Sequence, residues 1–270
     1  EGVTKQWNLK RLSSRENPLV LFTLVTQASI GLFAIAFLGG LLGVPALSAA
    51  MNSVMYVPMV AIAFGLAGLG LFLSTTHLGK PFRFYRGFNN LRHSPVSREG
   101  AGVAVYMAFA GLHLLTMLPN NAIFQGLFGD SLAAYTAVPA TVTGALAFLG
   151  SLVGLYYMYR CYRIPARPFW NHRQTASTFG GTALALGGLV YGVLNVPYLA
   201  IIGDDYTALL SSLAVVIVAG LAVEGVGLKR HAKDLNKAEN EGAVSHYVQS
   251  TTFGKSYLLR NVLIAINIVA

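Results

Sequence analysis

The chain has 270 residues, of which 54% are hydrophobic and only 11% are charged, and its mean hydropathy is +0.58. Soluble globular domains carry about 25% charged residues, so this composition excludes that class and indicates an integral membrane protein. The net charge of +9 could indicate a nucleic-acid partner, but the distribution of the basic residues argues for a membrane and against nucleic acid.

Apolar runs long enough to cross a bilayer as helices, which need about 20 residues each, occur six times, and a seventh run is cut short by the end of the sequence. We therefore predict an all-α integral membrane protein whose residues 1–270 form a single transmembrane helical domain. The predicted spans cover residues 18–43, 55–76, 99–118, 136–159, 177–202, 207–228 and 257 onward. Paired glycines inside several spans, as in "GSLVG" at 150–154, predict closely packed helix faces.

The basic residues are divided unevenly between the two ends of these spans. If the spans alternate, all 19 lysines and arginines fall at one end, and the connections around 44–54, 119–135 and 203–206 contain none. The charged residues in those connections are Asp130, Asp204 and Asp205. Cytoplasmic loops are enriched in lysine and arginine, so we predict a multi-pass protein of the bacterial cytoplasmic (inner) membrane with its N-terminus and basic loops in the cytoplasm. The same basic surface can also contact anionic headgroups of the lipid bilayer.

The single cysteine, Cys161, limits the cofactors that the chain itself can hold. One thiol cannot form an internal disulfide, a four-thiolate iron–sulfur cluster or a thiolate zinc site, so we expect such centres only in a partner. No haem is expected either, because a b-type haem needs two histidines at one depth, whereas His77 and His113 lie at different depths. Pairing of His77 with a loop histidine stays open; the loop histidines are His93, His172, His231 and His246.

Two ionisable residues lie well inside predicted spans, where such residues are rare and informative. For Glu224, in "LAVEGVGLKR", one interpretation is a carboxylate paired with Lys229, Arg230 or another loop arginine, and the other is a role in proton movement. For His113, in "FAGLHLLTM", the favoured interpretation is a hydrogen-bonded histidine packed between helices.

The connection at 77–99, "HLGKPFRFYRGFNNLRHSPVSRE", combines residue types that suit a quinone site. His77 ends the second predicted span and Glu99 begins the third at the same depth, with Arg83 between them. A histidine can donate a hydrogen bond to a quinone carbonyl, a carboxylate can take or give a proton, and an arginine supplies a fixed positive charge. The residues alone equally allow a structural interpretation, in which a helix N-terminus stabilises Glu99 and His77 caps the interface.

The stretch "THLGKPFRFYRGFNNLRHSPVSREGAG" at 76–102 resembles the His-Leu-Gly-x-Pro-x-Arg segment, followed by Ser-x-Glu, of the membrane anchor subunits of the dimethyl sulfoxide reductase family. The resemblance implies a quinone site formed by His77, Gly79, Arg83 and Glu99, with His77 and Glu99 as its catalytic residues. It implies that the chain is the quinone-reactive subunit of an oxidoreductase. The implied partners are a four-cluster ferredoxin-like iron–sulfur subunit and a molybdopterin catalytic subunit.

The resemblance further implies menaquinone or ubiquinone as the cofactor of this chain, with molybdopterin and iron–sulfur clusters only in the partner subunits.

Such anchors usually have eight spans, so we expect the seven visible here to be part of a bundle of eight. The family's periplasmic reductases present this loop to the periplasm, whereas the charge distribution places it in the cytoplasm. The chain is therefore most similar to the cytoplasm-facing branch, which includes a three-subunit sulfite dehydrogenase, and we expect sulfite oxidation with quinone reduction.

Other functions fit the sequence less well or stay open. The alternative within the family is a quinol-oxidising anchor of a dimethyl sulfoxide or polysulfide reductase. A transporter or channel is disfavoured, because transporters place polar sites near the midplane and carry internal repeats, and neither is evident. A retinal photoreceptor needs a lysine in its last helix, and the visible part of the seventh span has none. A purely structural anchor, with basic docking loops and no role for Glu99, stays open.

Overall fold

The computed structural model describes residues 9–76, 81–165, 170–235 and 241–269, and all regular structure within these ranges is helical. The six long helices are α1 (Leu9–Leu41), α3 (Tyr56–Thr76), α4 (Pro95–Met117), α6 (Ala133–Tyr162), α7 (Gln174–Ile202) and α8 (Thr207–Leu235). The four shorter helices are α2 (Pro45–Met51), α5 (Ala122–Phe128), α9 (Glu241–Thr251) and α10 (Gly254–Val269). Two 3₁₀ segments, Pro81–Asn90 and Leu118–Asn120, flank α4.

Six segments of the described chain are long and apolar enough to cross a membrane. They are Pro18–Leu41, Tyr56–Thr76, Pro95–Asn120, Ala133–Tyr162, Gln174–Ile202 and Thr207–His231. Each coincides with a predicted span, so the all-α membrane architecture is confirmed. The seventh predicted span corresponds to α10, which has 16 residues and is shorter than the about 20 that a spanning helix needs.

The start of the third span differs from the prediction in a way that matters for the site. Helix α4 begins at Pro95, four residues before the predicted start at 99, because the Ser94 side chain accepts a hydrogen bond from the Ser97 backbone N–H at 3.2 Å. Proline is well suited to the first helical position, where its missing N–H has no partner to lose. Glu99 therefore lies about one turn inside the helix instead of at its first residue.

Helix α1 occupies the centre of the bundle. It packs against α3 and α7, with further contacts to α2 and α6. Helices α3 and α4 also pack together, as do α4 and α6, so α1, α3, α4 and α6 form a closed group of four helices. The α7–α8 hairpin packs on the other side of α1, and α10 packs against α8.

Glycines set the closest approaches between helices, as the sequence predicts. A Cβ atom added at Gly31 of α1 would lie 1.7 Å from the carbonyl oxygen of Ala183 on α7. One added at Gly150 of α6 would lie 3.0 Å from the Cα of Tyr106 on α4. Small residues allow this backbone contact where lipid provides no hydrophobic drive for helix association.

The ends of the bundle differ in charge. One end, which we call the basic end, holds the described loop lysines and arginines; its described residues are 81–94, 163–165, 170–173, 229–235 and 241–253. The opposite connections carry Asp130, Asp204 and Asp205. Both carboxyl-bearing residues inside the spans, Glu99 and Glu224, lie in the half of the bundle nearer the basic end.

Candidate functional site

Glu99 is the buried carboxylate at the basic end of α4. It lies on the buried face of that helix, which also includes Gly102, Val103 and Tyr106, and only 6% of its surface is exposed. Its Oε1 atom is buried and has no hydrogen-bond partner among the described residues. Buried polar atoms are almost always hydrogen-bonded, so an unpaired one calls for a functional or structural explanation.

The described neighbour of the Glu99 carboxylate is Cys161, near the end of α6. Its thiol lies within hydrogen-bonding reach of the Glu99 carboxylate. The two helices can approach closely here because Gly102 and Gly154 face each other: a Cβ at Gly102 would lie 3.1 Å from the Gly154 Cα. From the sequence, Cys161 bears only on disulfide bonds and metal ligation, and its place beside Glu99 was not predicted. The signal that could have predicted this contact is membrane depth: Glu99 lies near the start of one span and Cys161 near the end of the next, which is antiparallel to it.

Apolar and aromatic side chains form a buried cluster near this carboxylate. One turn along α4, Val103 packs in a buried cluster with Phe22 of α1 and Met158 of α6. Tyr162 and Phe179 pack against the same cluster, with their ring centroids 5.4 Å apart. The ring of Trp170 lies 5.0 Å from that of Tyr162. Ligand sites for apolar molecules combine such a lining with a few polar groups.

The 3₁₀ segment Pro81–Asn90 lies across the start of α4. The ring of Phe88 lies 3.9 Å from the position that a Cβ of Gly100 would occupy. Arg98 of α4 holds the end of the loop that follows this segment. Its Nε donates to the Leu91 carbonyl at 2.7 Å and its Nη2 donates to the Arg92 carbonyl. Exposed Phe84 and Tyr85 on the segment suit the membrane–water interface, where aromatic residues are enriched.

The four residues predicted to form the quinone site are not all brought together. Glu99 is buried, whereas Arg83 is exposed in the 3₁₀ segment, and no described hydrogen bond joins the two. His77 and Gly79 lie outside the described residues, between the end of α3 at Thr76 and the 3₁₀ segment. In the described part of the chain, the site therefore consists of Glu99 with Cys161 beside it.

The comparison with known protein families assigns the chain. Residues 12–269 match the model of the DMSO reductase anchor subunit (DmsC). The chain belongs to this family. No curated protein and no solved structure matches it. It is thus a membrane anchor subunit of a DMSO reductase-type complex, whose family implies catalytic and iron–sulfur partner subunits.

His113 of this anchor subunit is a fully paired core histidine, as the favoured interpretation of the sequence predicts. Its Nδ1 lies 2.8 Å from the Ala140 carbonyl oxygen, which can only accept a hydrogen bond, so Nδ1 carries the proton. Nε2 of the neutral ring then accepts from the hydroxyl of Tyr56 at 2.9 Å. The ring also makes edge contacts with Phe33 and Phe37. Both ring nitrogens are used, so His113 has none left for a metal.

Glu224 of the anchor subunit has partners other than those predicted. The Thr182 hydroxyl on α7 donates to its Oε1 at 2.8 Å. The charged partner that faces it is Arg260 of α10, across a groove that both residues line. Lys229 and Arg230, the predicted ion-pair partners, are not its described partners, and the choice between a paired carboxylate and a role in proton movement stays a prediction. Glu224 is separate from Glu99, because it lies on the α7–α8–α10 side of the bundle.

Proposed function

We propose that this anchor subunit carries a quinone-reactive site built around Glu99 at its basic end, and that it passes electrons between the iron–sulfur subunit and the quinone pool. The observation that carries the proposal is the buried Oε1 atom of Glu99, which has no described hydrogen-bond partner. Leaving such an atom unpaired costs about 1–3 kcal/mol. A quinol hydroxyl could donate to the carboxylate, or a quinone carbonyl could accept from the protonated carboxyl group, and either contact would remove that cost.

The surroundings of Glu99 fit this kind of ligand. The Val103 cluster and the Tyr162, Trp170 and Phe179 rings supply apolar and aromatic surface for a quinone ring and its tail. Bound quinone would supply two-electron, two-proton chemistry at its oxygens. The contribution of the chain is a carboxyl group that holds or accepts a proton, has the Cys161 thiol within hydrogen-bonding reach and leaves its Oε1 atom unpaired among the described residues.

The rest of the proposed site comes from the loop before α4. His77 is proposed as the donor to the second quinone oxygen, Gly79 as the residue that lets the backbone approach, and Arg83 as a positive charge near the site. Arg83 is exposed, so its proposed role requires its side chain to turn toward the quinone or toward the membrane surface. The hydrogen bonds from Arg98 keep the loop end next to Glu99 and so limit how far Arg83 must reach.

We further propose that the basic end faces the cytoplasm and that the complex oxidises sulfite and reduces menaquinone or ubiquinone. The support is the charge distribution: all 19 lysines and arginines fall at one end of the spans, which is the cytoplasmic pattern. The four-cluster iron–sulfur subunit and the molybdopterin subunit would then dock on the cytoplasmic side, next to Glu99. A tag at residue 1 should be accessible only from the cytoplasm, and exclusive access from the periplasm would overturn both the orientation and the sulfite assignment.

The site is tested by Glu99→Gln in the assembled complex. We expect quinone-dependent turnover to fall by about 100-fold or more, the usual range for loss of a general acid–base group. Turnover with an artificial dye that takes electrons directly from the iron–sulfur clusters should stay unchanged. Glu224→Gln is the matched control, because it makes the same change at the other intramembrane carboxylate and should leave both activities intact.

The possible outcomes separate the proposal from a purely structural anchor. Unchanged quinone turnover in Glu99→Gln would show that Glu99 has no part in quinone chemistry. Equal loss of quinone and dye turnover would indicate a failure of assembly, which recovery of all three subunits in one peak on size-exclusion chromatography would detect. Equal losses in the Glu99 and Glu224 variants would also contradict a site specific to Glu99.

A further inference from the structure

A pocket of about 540 Å³ lies between α7 and α8 at the basic end, on a different part of the bundle from Glu99. Three of its lining residues are cations, Arg173, Arg230 and Lys233, and all three are exposed. Among the described residues, no carboxylate lines the pocket. The charge of the pocket therefore fits an anion.

The position of the pocket fits an anion held at a membrane surface. The α8 span ends at His231, and the α7 span begins at Gln174, so the cations lie where both spans leave the membrane. Deeper along α8, the lining continues with Val223 and Val226, whose side chains are exposed. One end of the pocket is cationic and the other is apolar, which matches the headgroup and the acyl chain of an anionic phospholipid.

Gln174 adds a second, independent feature. Only 5% of its surface is exposed, it lines the pocket, and its Oε1 atom has no hydrogen-bond partner among the described residues. An amide oxygen can only accept a hydrogen bond. A phosphodiester group alone cannot provide the donor, but a headgroup that also carries a hydroxyl can.

We propose that this pocket binds an anionic glycerophospholipid whose headgroup carries a hydroxyl, such as phosphatidylglycerol. The phosphodiester lies between Arg173 and Arg230, the headgroup hydroxyl donates to Gln174, and an acyl chain runs along Val223 and Val226. Binding of this kind would fix the α7–α8 hairpin at the membrane surface beside the surface proposed for the partner subunits.

The experiment is a lipid titration of the purified full chain by native mass spectrometry, with phosphatidylglycerol, phosphatidylmethanol and phosphatidylcholine as probes. Each cation near a membrane surface contributes about 1 kcal/mol to anionic lipid binding, or about fivefold in Kd. Arg173→Gln and Arg230→Gln should each weaken phosphatidylglycerol binding by about fivefold, and Arg230→Lys should restore most of the loss.

Lys229→Gln is the matched control, because Lys229 is exposed next to Arg230 but does not line the pocket. It should change the Kd less than twofold. Equal weakening in Lys229→Gln and Arg230→Gln would show only diffuse attraction to a charged surface and would overturn the proposal. Equal affinity for phosphatidylcholine would do the same.

Gln174→Met tests the hydroxyl contact, since it keeps the length of the side chain and removes the amide. It should abolish the preference for phosphatidylglycerol over phosphatidylmethanol, an anionic phosphodiester with no hydroxyl, and keep the preference over phosphatidylcholine. The last probe is inorganic phosphate. Displacement of the lipid by millimolar phosphate would show that the pocket binds a free anion and would overturn the lipid assignment. If the arginine variants bind lipid normally but lose the partner subunits on purification, the pocket is a protein-docking surface and the lipid assignment is wrong.

Discussion

The thiol of Cys161 lies within hydrogen-bonding reach of the carboxylate of Glu99, where the basic ends of α6 and α4 meet. Since the second carboxylate oxygen has no described partner, Cys161 restricts the orientation of the acid while leaving one oxygen available. Cys161 is therefore a positioning residue for the proposed quinone site.

Replacement of Cys161 by valine should impair quinone turnover without abolishing it. Valine fills a similar volume but cannot donate, and a hydrogen bond of this kind contributes about 1 kcal/mol, which corresponds to about fivefold in rate. Cys161→Ser, which restores a donor, should recover most of the activity. Turnover with the cluster-reactive dye should be unaffected in both variants.

The same contact can be observed directly, because the chain contains one cysteine and its infrared S–H stretching band therefore belongs to Cys161. A hydrogen-bonded S–H group absorbs at lower frequency than a free one. Glu99→Ala in the isolated chain should move the band to higher frequency, whereas Glu224→Ala should leave it in place. An unchanged band in Glu99→Ala would contradict the contact, whatever the kinetic result.

Arg98 should control the mobility of the loop that covers α4. Its guanidinium group donates to the carbonyls of Leu91 and Arg92, and a lysine keeps the charge but cannot reproduce this forked geometry. We expect Arg98→Lys to increase hydrogen–deuterium exchange in the peptide covering 81–92 severalfold, as measured by mass spectrometry. Arg86→Lys, at an exposed arginine of the same segment, should leave the exchange unchanged. Equal exchange in both variants would show that the loop is held by other contacts.

The membrane architecture could be predicted from the sequence because hydropathy reports directly on the cost of placing a residue in lipid. The exact start of α4 could have been predicted as well. Ser94 and Pro95 are a helix-start signal, but the predicted span followed the hydropathy and began at 99. This difference of about one turn changes the interpretation of Glu99. The predicted span makes it a charge at the first residue of the helix, whereas the structure shows a buried carboxylate inside the helix.

The packing order of the helices could not be predicted in the same way. All six spans are strongly apolar, so hydropathy does not distinguish a face in contact with lipid from one in contact with protein. The central position of α1 becomes clear only from its buried polar residues, Thr23, Thr26, Gln27 and Ser29. The Cys161–Glu99 contact depends on the register between α4 and α6, which a single sequence does not provide.

The Tyr56–His113 pair should stabilise the fold without affecting quinone chemistry. The Tyr56 hydroxyl donates to Nε2 of His113 at 2.9 Å in a buried setting, and hydrogen bonds between membrane helices contribute about 0.6 kcal/mol, up to about 1.7. In a double-mutant cycle of Tyr56→Phe and His113→Ala, we expect a coupling energy in this range from unfolding in mixed micelles of sodium dodecyl sulfate. A control cycle that combines Tyr135→Phe, at an exposed tyrosine, with His113→Ala should give no coupling. A coupling energy near zero for the first pair would contradict the hydrogen bond.

The α1–α7 contact should be the most sensitive to added volume. At Gly187 an added Cβ would lie 2.2 Å from the carbonyl carbon of Gly31, and at Gly31 it would lie 1.7 Å from the Ala183 carbonyl oxygen. Both neighbours are backbone atoms and cannot turn away, so the helices must separate. Overpacking of this kind costs about 1–3 kcal/mol, and we expect Gly31→Ala and Gly187→Ala each to lower the free energy of unfolding by that amount.

Gly65→Ala is the control for this prediction, because Gly65 is exposed in the interior of α3 and an added Cβ there meets no atom within 4 Å. Alanine is the better helix former by about 0.5–1 kcal/mol, so the control should be neutral or slightly stabilising. The double variant of Gly31 and Gly187 distinguishes contact from independent strain. Since the first alanine already separates the helices at this point, the second should cost less than it does alone, and fully additive losses would show that the two glycines do not share one contact.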